Sequence, residues 1–295
     1  MTNLLKSILG CALIIILFQF VETESLIQQI QSVNLFKFLA FFFFSIPLIF
    51  ISALKWHFLF KNQGTQSCFT DVLLYYFFAY AFSLLIPLGI VGADLARVQL
   101  AKKFNGYSMA IKTVFQDRYS GFLIMFFCSV FLSLISTRIP PLISLVNAII
   151  FSVGILAPVI VKLIKFKKLA FFTNLMEFRL NKSLIYVLCL SLIFYLLAVV
   201  NILLGAWVLD IKLTPFVDLA ALLPLVFLLS SIPISPQGLG VQEGFYFFLF
   251  QFVGANPTEA LSLALLLRVK VILIGVLAWI VFYIRYFLTK SSPER

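Results

Sequence analysis

Two arginines stand deep inside long apolar segments of the chain. Arg118 lies ten residues after Ser108, where one segment begins, and Arg268 lies nine residues after Glu259, where another begins. With a helical rise of about 1.5 Å per residue, both would lie about 15 Å deep in a hydrocarbon core about 30 Å thick. A central arginine costs about 2.5–3.5 kcal/mol on insertion. Each arginine must therefore face a partner or a wet cavity.

Two interpretations of these arginines remain open. In the first, they form internal ion pairs, for which Asp117, Asp94 and Glu243 are the available acids. In the second, they bind the anionic group of a cargo, because the guanidinium fork pairs phosphate oxygens bidentately. Lys270 follows Arg268 by two residues, lies on a different face of the helix, and is expected to snorkel or to pair.

Each arginine is preceded by a stretch rich in proline and glycine. These stretches are "PLGIVGADLARVQL" from Pro87 and "PISPQGLGVQEG" from Pro233. Prolines, Pro236 included, stop an entering helix, and glycines let backbone approach closely. A short helix is predicted to begin after the glycines, at Gly92–Ala93 and at Gly240–Val241. Its free N–H groups and positive dipole end would form an anion site.

A simpler interpretation gives these residues only structural roles. The glycines would then only permit turns, and Asp94 and Glu243 would only cap helix starts. Capping does not explain why two deep arginines accompany the two acids. For Arg97, Lys102 and Lys103 we favour anchoring at cytoplasmic headgroups over guiding an anionic lipid to the site. The candidate substrate-binding residues are Arg118, Arg268, Asp94, Glu243, Arg97, Gly89, Gly92, Ser235, Gly238 and Gly240.

The elements that position these residues are predicted to be membrane helices. Of the 295 residues, 63% are hydrophobic and 11% are charged, and the mean hydropathy is +1.12. The apolar runs are long and continuous, unlike the alternating strands of a membrane barrel. Full spans are predicted at about Leu4–Val21, Val33–Trp56, Ser108–Ser136, Pro141–Val161, Ser183–Leu209 and Glu259–Phe287.

The distribution of charge predicts the topology. Lys6 places the N-terminus inside, and Lys55 and Lys61 mark the return of the chain to the inside. If Val72–Ile86 crossed fully, a basic group would lie outside. The chain is therefore predicted to enter here from the inside, to break near Pro87–Gly92 and to return to the inside as a hairpin. The basic group comprises Arg97, Lys102, Lys103 and Lys112.

The second interruption is predicted to be a matching hairpin. The apolar segment Pro215–Ile232 would lead into a hairpin around Pro233–Gly244 that enters from the outside and returns there. The last span would bring the C-terminus inside. Lys162–Lys182 is predicted to be an interfacial amphipathic helix on an anionic leaflet.

Each half of the chain shows the order span, span, hairpin, span. The halves, residues 1–137 and 138–295, would have opposite orientations, and the spacing from Ala110 to Arg118 equals that from Ala260 to Arg268. The fold class predicted is an all-α polytopic membrane protein with about six full spans and two re-entrant hairpins in an inverted repeat. In such transporter architectures the site lies near the midplane.

Other kinds of chemistry lack the residues they need. The four cysteines are scattered, and His57 is the only histidine, so we expect no disulfide framework and no metal. No Ser/His/Asp constellation or Walker loop is visible, and no cofactor is expected. The net charge of +11 is explained by the positive-inside rule and anionic headgroups rather than by nucleic acid.

The two interruptions, joined by "QDRYSG", resemble the membrane domain of the lysylphosphatidylglycerol synthase/flippase family. The family pattern has a Pro-x-Gly-x-x-Gly-Asp-like motif, an Arg-x-x-Gly element and a Ser-x-x-Gly-x-Gly-x-x-Glu motif. Ala93 stands where many relatives have another glycine. The matching residues are Pro87, Gly89, Gly92, Asp94 and Arg97, then Arg118 and Gly121, and finally Pro233, Ser235, Gly238, Gly240 and Glu243.

The resemblance implies a stand-alone flippase-like protein of a bacterial inner membrane, without a soluble synthase domain. It would bind or move an anionic phospholipid or a polyprenyl-phosphate lipid between leaflets, and we favour a non-enzymatic role. One alternative is a membrane-embedded glycosyl- or aminoacyl-type transferase with Asp94 or Glu243 as general base. Another is an accessory subunit. The partners considered are an anionic lipid, a separate synthase or transferase, and a second copy of the chain.

Overall fold

The structure is a computed structural model that describes residues 3–85, 90–163, 174–213, 216–232, 235 and 238–291. In these ranges the regular secondary structure is helical, and no strand is formed. The helices are α1 Asn3–Gln19, α2 Thr23–Gln31, α3 Leu35–Phe43, α4 Ser45–Asn62, α5 Phe69–Leu85, α6 Ile90–Ile135, α7 Pro141–Leu163, α8 Lys182–Val208, α9 Phe216–Ser230, α10 Val241–Leu249 and α11 Pro257–Ser291.

In the part of the chain that the structure describes, five helical stretches are long and apolar enough to cross a membrane, which confirms the all-α polytopic fold class. A sixth is added if α1 and α2, which meet at a bend of 103°, form one broken span. The second predicted span continues beyond Trp56, because α3 and α4 together run to Asn62. The five stretches are Leu35–Asn62, Val91–Ile135, Pro141–Leu163, Lys182–Val208 and Pro257–Leu288.

Helix α6 contains a break that divides it into two parts. The backbone leaves helical geometry at Asn105 and Gly106, and Gly106 has a φ of +77°, which glycine adopts at little cost. The part before the break carries Asp94, and the part after it carries Arg118. The predicted start of a new span at Ser108 falls just beyond this break.

The short helices α5 and α9 occupy similar positions in the bundle. Helix α5 packs against α6 and α11, whereas α9 packs against α6 and α10, and α4 lies along α8. Each short helix therefore contacts the helix that follows it and a long helix from the other predicted half. The re-entrant course of these hairpins and the inverted repeat stay predictions. Pro87, Gly89, Pro233 and Pro236 lie outside the described residues.

A proline in α9 leaves a buried backbone carbonyl without its helical donor, and neighbouring helices supply donors in this region. Pro224 has no N–H group, so the carbonyl of Ala220, four residues earlier, loses its helical donor. The hydroxyl of Tyr195, from α8, donates to this carbonyl. The next carbonyl, of Ala221, accepts from Asn147 Nδ2 at 3.1 Å. Side chains from two neighbouring helices thus satisfy backbone that no water reaches, as a membrane interior requires.

We expect Tyr195→Phe to lower the stability of the bundle. The ring would still pack, but the buried Ala220 carbonyl would have no donor, at a cost of about 1–3 kcal/mol. Thermal unfolding of the purified protein in detergent measures this as a lower Tm. Tyr283→Phe is the matched control because Tyr283 is 57% exposed. Equal Tm values for the two variants would show that the hydroxyl contributes nothing.

Candidate functional site

The structure pairs Asp94 with Arg118, as the first interpretation of the arginines expected. Arg118 Nε lies 3.0 Å from Asp94 Oδ2, and Arg118 Nη2 lies 3.0 Å from Asp94 Oδ1. Two parallel hydrogen bonds of this kind form the strong bidentate geometry of guanidinium and carboxylate. Asp94 also accepts a hydrogen bond from Arg97 Nη1 at 3.2 Å. One carboxylate therefore serves two guanidinium groups.

The predicted role of Arg97 as a headgroup anchor is wrong. Arg97 is only 1% exposed, and its guanidinium lies between the rings of Trp56, at 4.2 Å, and Tyr76, at 4.6 Å. Its Nη2 lies 2.8 Å from Asp117 Oδ2. Helices α4 and α5 surround this part of α6, so the side chain cannot reach the surface. Aromatic faces and carboxylates offset the desolvation of the buried charge.

Lys55, predicted to mark the return of the chain to the inside, is also buried. Its Nζ lies 2.8 Å from Asp117 Oδ1, and the side chain is 7% exposed. Gly121 leaves room for it, since an added Cβ would lie 3.3 Å from Nζ. Sequence reasoning did not place Lys55 in the site, because the span was predicted to end at Trp56. In the structure α4 continues to Asn62, so Lys55 lies inside the helix.

The five charged residues described so far form one connected group, which we call the first cluster. No salt bridge joins the side chains of Asp117 and Arg118, because successive residues of a helix point about 100° apart. Asp117 joins Lys55 to Arg97 instead. The first cluster consists of Lys55, Asp94, Arg97, Asp117 and Arg118.

Lys102 and Lys103 lie outside the first cluster. Lys103 pairs with Asp71 at 2.7 Å, and its side chain is 49% exposed. Lys102 donates to the Tyr107 hydroxyl at 3.1 Å.

The second arginine, Arg268, pairs with Glu243. Its Nε donates to Glu243 Oε1, and its Nη2 lies 3.3 Å from the carbonyl oxygen of Gly238. Glu243 is 1% exposed, and its other oxygen accepts the N–H of Gly240 at 2.8 Å. Glu243 thus caps α10 and holds Arg268 at the same time. The structure brings these predicted residues together as a second cluster, Gly238, Gly240, Glu243 and Arg268.

The turn before α10 needs its glycines. Gly238 and Gly240 have φ values of +67° and +76°, which side chains rarely permit. Ser235 is buried, and its hydroxyl donates to the carbonyl of Leu239 at 2.7 Å. Its carbonyl accepts the N–H of Gly238 at 3.1 Å. Ser235 therefore closes the turn that presents the Gly238 carbonyl to Arg268.

The two predicted helix starts have different outcomes. Helix α10 begins at Val241, as predicted. Helix α6 is already helical at Ile90, so the predicted start at Gly92–Ala93 is at least two residues late. Gly92 has no positive φ, so the helix passes through it without a turn. Asp94 is accordingly not a cap, and its described hydrogen bonds go to arginines.

Lys270 makes a third buried polar contact. It is 3% exposed, donates to Asn201 Oδ1, and lies 3.7 Å from the centre of the Phe41 ring. Within the described ranges no carboxylate lies within 4.0 Å of its Nζ. It pairs, as one of the two expectations held, but with a neutral amide.

The two arginines differ in their exposure. The side chain of Arg118 is 40% exposed, whereas that of Arg268 is 12% exposed and its partner Glu243 is 1% exposed. Arg118 is therefore partly accessible from outside the bundle, while its Nε and Nη2 are held by Asp94. Arg268 is nearly enclosed.

Fold and site together define a multi-pass helical membrane protein with an acid–arginine pair behind each of two glycine-containing motifs. The chain belongs to the family described as the lysylphosphatidylglycerol synthase transmembrane region, whose model matches residues 3–285. This confirms the family resemblance of the motifs, and the match includes both clusters. No curated protein matches the chain.

Glu243→Gln is expected to destabilise the protein strongly. The substitution removes the negative charge from the buried pair with Arg268 and weakens the cap of α10. Breaking a buried pair in this way costs about 3–5 kcal/mol. Thermal unfolding in detergent would show a large fall in Tm.

The control for Glu243→Gln is Asp210→Asn. Asp210 pairs with Lys37 at 2.5 Å, but its side chain is 70% exposed. Such a surface pair contributes about 0–1 kcal/mol. Similar Tm shifts for the two variants would contradict a structural role for the buried pair.

Proposed function

We propose that this protein binds the phosphate of an anionic membrane lipid at its arginines and moves the lipid between the leaflets of a bacterial inner membrane. The cargo is an anionic phospholipid or a polyprenyl-phosphate lipid. The proposal rests on the location, the exposure and the partner of Arg118. Arg118 lies in an apolar helix, is 40% exposed, and is held by a carboxylate that a phosphate can replace.

The geometry of the Asp94–Arg118 pair suits this exchange. Two donors of one guanidinium, Nε and Nη2, point at two carboxylate oxygens at 3.0 Å each. A phosphate group offers two oxygens with the same fork geometry. A lipid headgroup can therefore take the place of Asp94 without reorganising Arg118. In the empty protein, Asp94 balances the charge.

Arg268 provides a second, closed position for the phosphate. It lies beside the first turn of α10, where free N–H groups and the positive end of the helix dipole favour an anion. Glu243 occupies this position in the structure. We place the two arginines on the two halves of one polar path, which a charged headgroup needs in order to cross hydrocarbon. The difference in exposure fits a state in which one end of the path is open.

Leaflet exchange in liposomes tests this function. The protein would be reconstituted with fluorescent phosphatidylglycerol, and quenching of the outer leaflet would report the exchange rate. Arg118→Gln is expected to slow exchange at least tenfold, which corresponds to about 1.4 kcal/mol of lost stabilisation. Arg268→Gln is expected to act in the same direction. Gln keeps hydrogen-bonding atoms but removes the charge.

Two controls accompany the exchange assay. Arg138→Gln removes the charge of an exposed arginine outside both clusters and is expected to leave exchange unchanged. A fluorescent ceramide, which has no phosphate, is expected to exchange no faster with the protein than without it. Undiminished phosphatidylglycerol exchange by well-folded Arg118→Gln protein would overturn the proposed site.

A further inference from the structure

The first cluster consists of a buried part and an exposed part. Lys55, Asp117 and Arg97 have side chains that are 7%, 4% and 2% exposed. Asp117 lies between the two cations, 2.8 Å from each. The rings of Trp56 and Tyr76 enclose the guanidinium of Arg97. We call Lys55, Asp117 and Arg97 the base, because these contacts fix all three in place.

The exposed part is the pair of Asp94 and Arg118. Asp94 is 19% exposed and Arg118 is 40% exposed. Asp94 Oδ1 already lies between the two arginines, 3.2 Å from Arg97 Nη1 and 3.0 Å from Arg118 Nη2. Arg97 Nε is buried and makes no hydrogen bond to the described residues. Arg97 therefore has donor capacity that the observed arrangement leaves unused.

The formal charges of the five residues show why the division into a buried base and an exposed pair matters. The base holds two cations and one anion, so its excess of one positive charge neutralises Asp94 without help from Arg118. Arg118 then carries the one remaining positive charge of the cluster. A group with one negative charge, such as a phosphodiester, makes the cluster neutral. In a low-dielectric interior, neutrality of this kind matters greatly.

We propose that Asp94 is a displaceable latch and that Arg97 is the residue that holds it when the latch opens. A phosphodiester headgroup takes both donors of Arg118, and the carboxylate of Asp94 stays on Arg97 rather than being left buried and unpaired. Arg97 is thus a positioning residue that determines the affinity of a site it does not itself form. This inference rests on the proposed binding of lipid phosphate at Arg118.

A purely structural Arg97 makes a different prediction about Asp94. If Arg97 only supports the bundle, removing it weakens binding in a way that no change at Asp94 repairs. If Arg97 holds Asp94 when the latch opens, removing Arg97 leaves Arg118 as the partner of Asp94. An anion that binds Arg118 must then displace Asp94 with no second arginine to receive its carboxylate. Removing the charge of Asp94 relieves this competition. Rescue by a second substitution therefore separates the two roles.

The experiment is isothermal titration calorimetry. The whole protein, in uncharged detergent, is titrated with dihexanoyl-phosphatidylglycerol, and the dissociation constant is measured. Asp94→Asn is expected to bind more tightly than the unchanged protein by about threefold to tenfold. Arg97→Gln is expected to bind about tenfold more weakly. The double variant Asp94→Asn/Arg97→Gln is expected to recover to within about threefold of Asp94→Asn.

A second series protects the test against misfolding. Arg97→Lys keeps a positive charge beside Asp117, but a single ammonium group cannot reach two carboxylates as a guanidinium fork does. It is expected to fold, to bind more weakly, and to be rescued by Asp94→Asn. A zwitterionic probe, dihexanoyl-phosphatidylcholine, is expected to bind more weakly than phosphatidylglycerol to each folded variant.

The outcomes distinguish this inference from the proposed function. No binding of phosphatidylglycerol by the unchanged protein, or equal binding by Arg118→Gln, would overturn both. Binding that depends on Arg118 but is unchanged in Asp94→Asn would overturn the latch alone. So would a weakened Arg97→Lys variant that Asp94→Asn does not rescue.

Discussion

The scarcity of water inside the bundle is the constraint on which the rest of this structure depends. Where water is absent, each charge and each carbonyl needs a partner from the protein itself. The carbonyl freed by Pro224 meets the hydroxyl of Tyr195, and the carboxylate of Asp117 meets two cations. Each arrangement joins two different helices. Polar contacts here therefore hold the bundle together as well as filling a site.

The same constraint explains why the two clusters differ. Glu243 is tied to backbone by the N–H of Gly240, so the second cluster is part of a helix start and is nearly closed. Among the described residues, Asp94 accepts hydrogen bonds from arginine side chains and from no backbone N–H. A carboxylate held only by side chains can change partners, whereas one that caps a helix can leave only if the helix start changes too. The second cluster is therefore bound into a helix start, whereas the carboxylate of Asp94 is held by side chains.

Sequence reasoning succeeded where the signal was local. The glycines of the turn before α10 and the start of α10 at Val241 could be inferred from a few neighbouring residues, and so could a new helical segment that begins near Ser108. It failed for Arg97 and Lys55, because their surroundings come from other helices. Trp56 and Tyr76 stand well before Arg97 in the chain, and nothing in its own segment shows that they enclose it. A basic residue near a predicted span end therefore looked like a surface anchor.

The break at Asn105 and Gly106 gives the Asp94–Arg118 pair a second structural role, which is to connect the two parts of α6. The two residues are 24 positions apart and lie on opposite sides of the only non-helical point in α6. Their hydrogen bonds therefore join the two parts of α6 across this break. The ion pair of Arg97 with Asp117 spans the same break and is almost fully buried. Side chains of opposite charge thus tie the two parts together twice, and a ligand that displaced Asp94 from Arg118 would leave the Arg97–Asp117 pair in place.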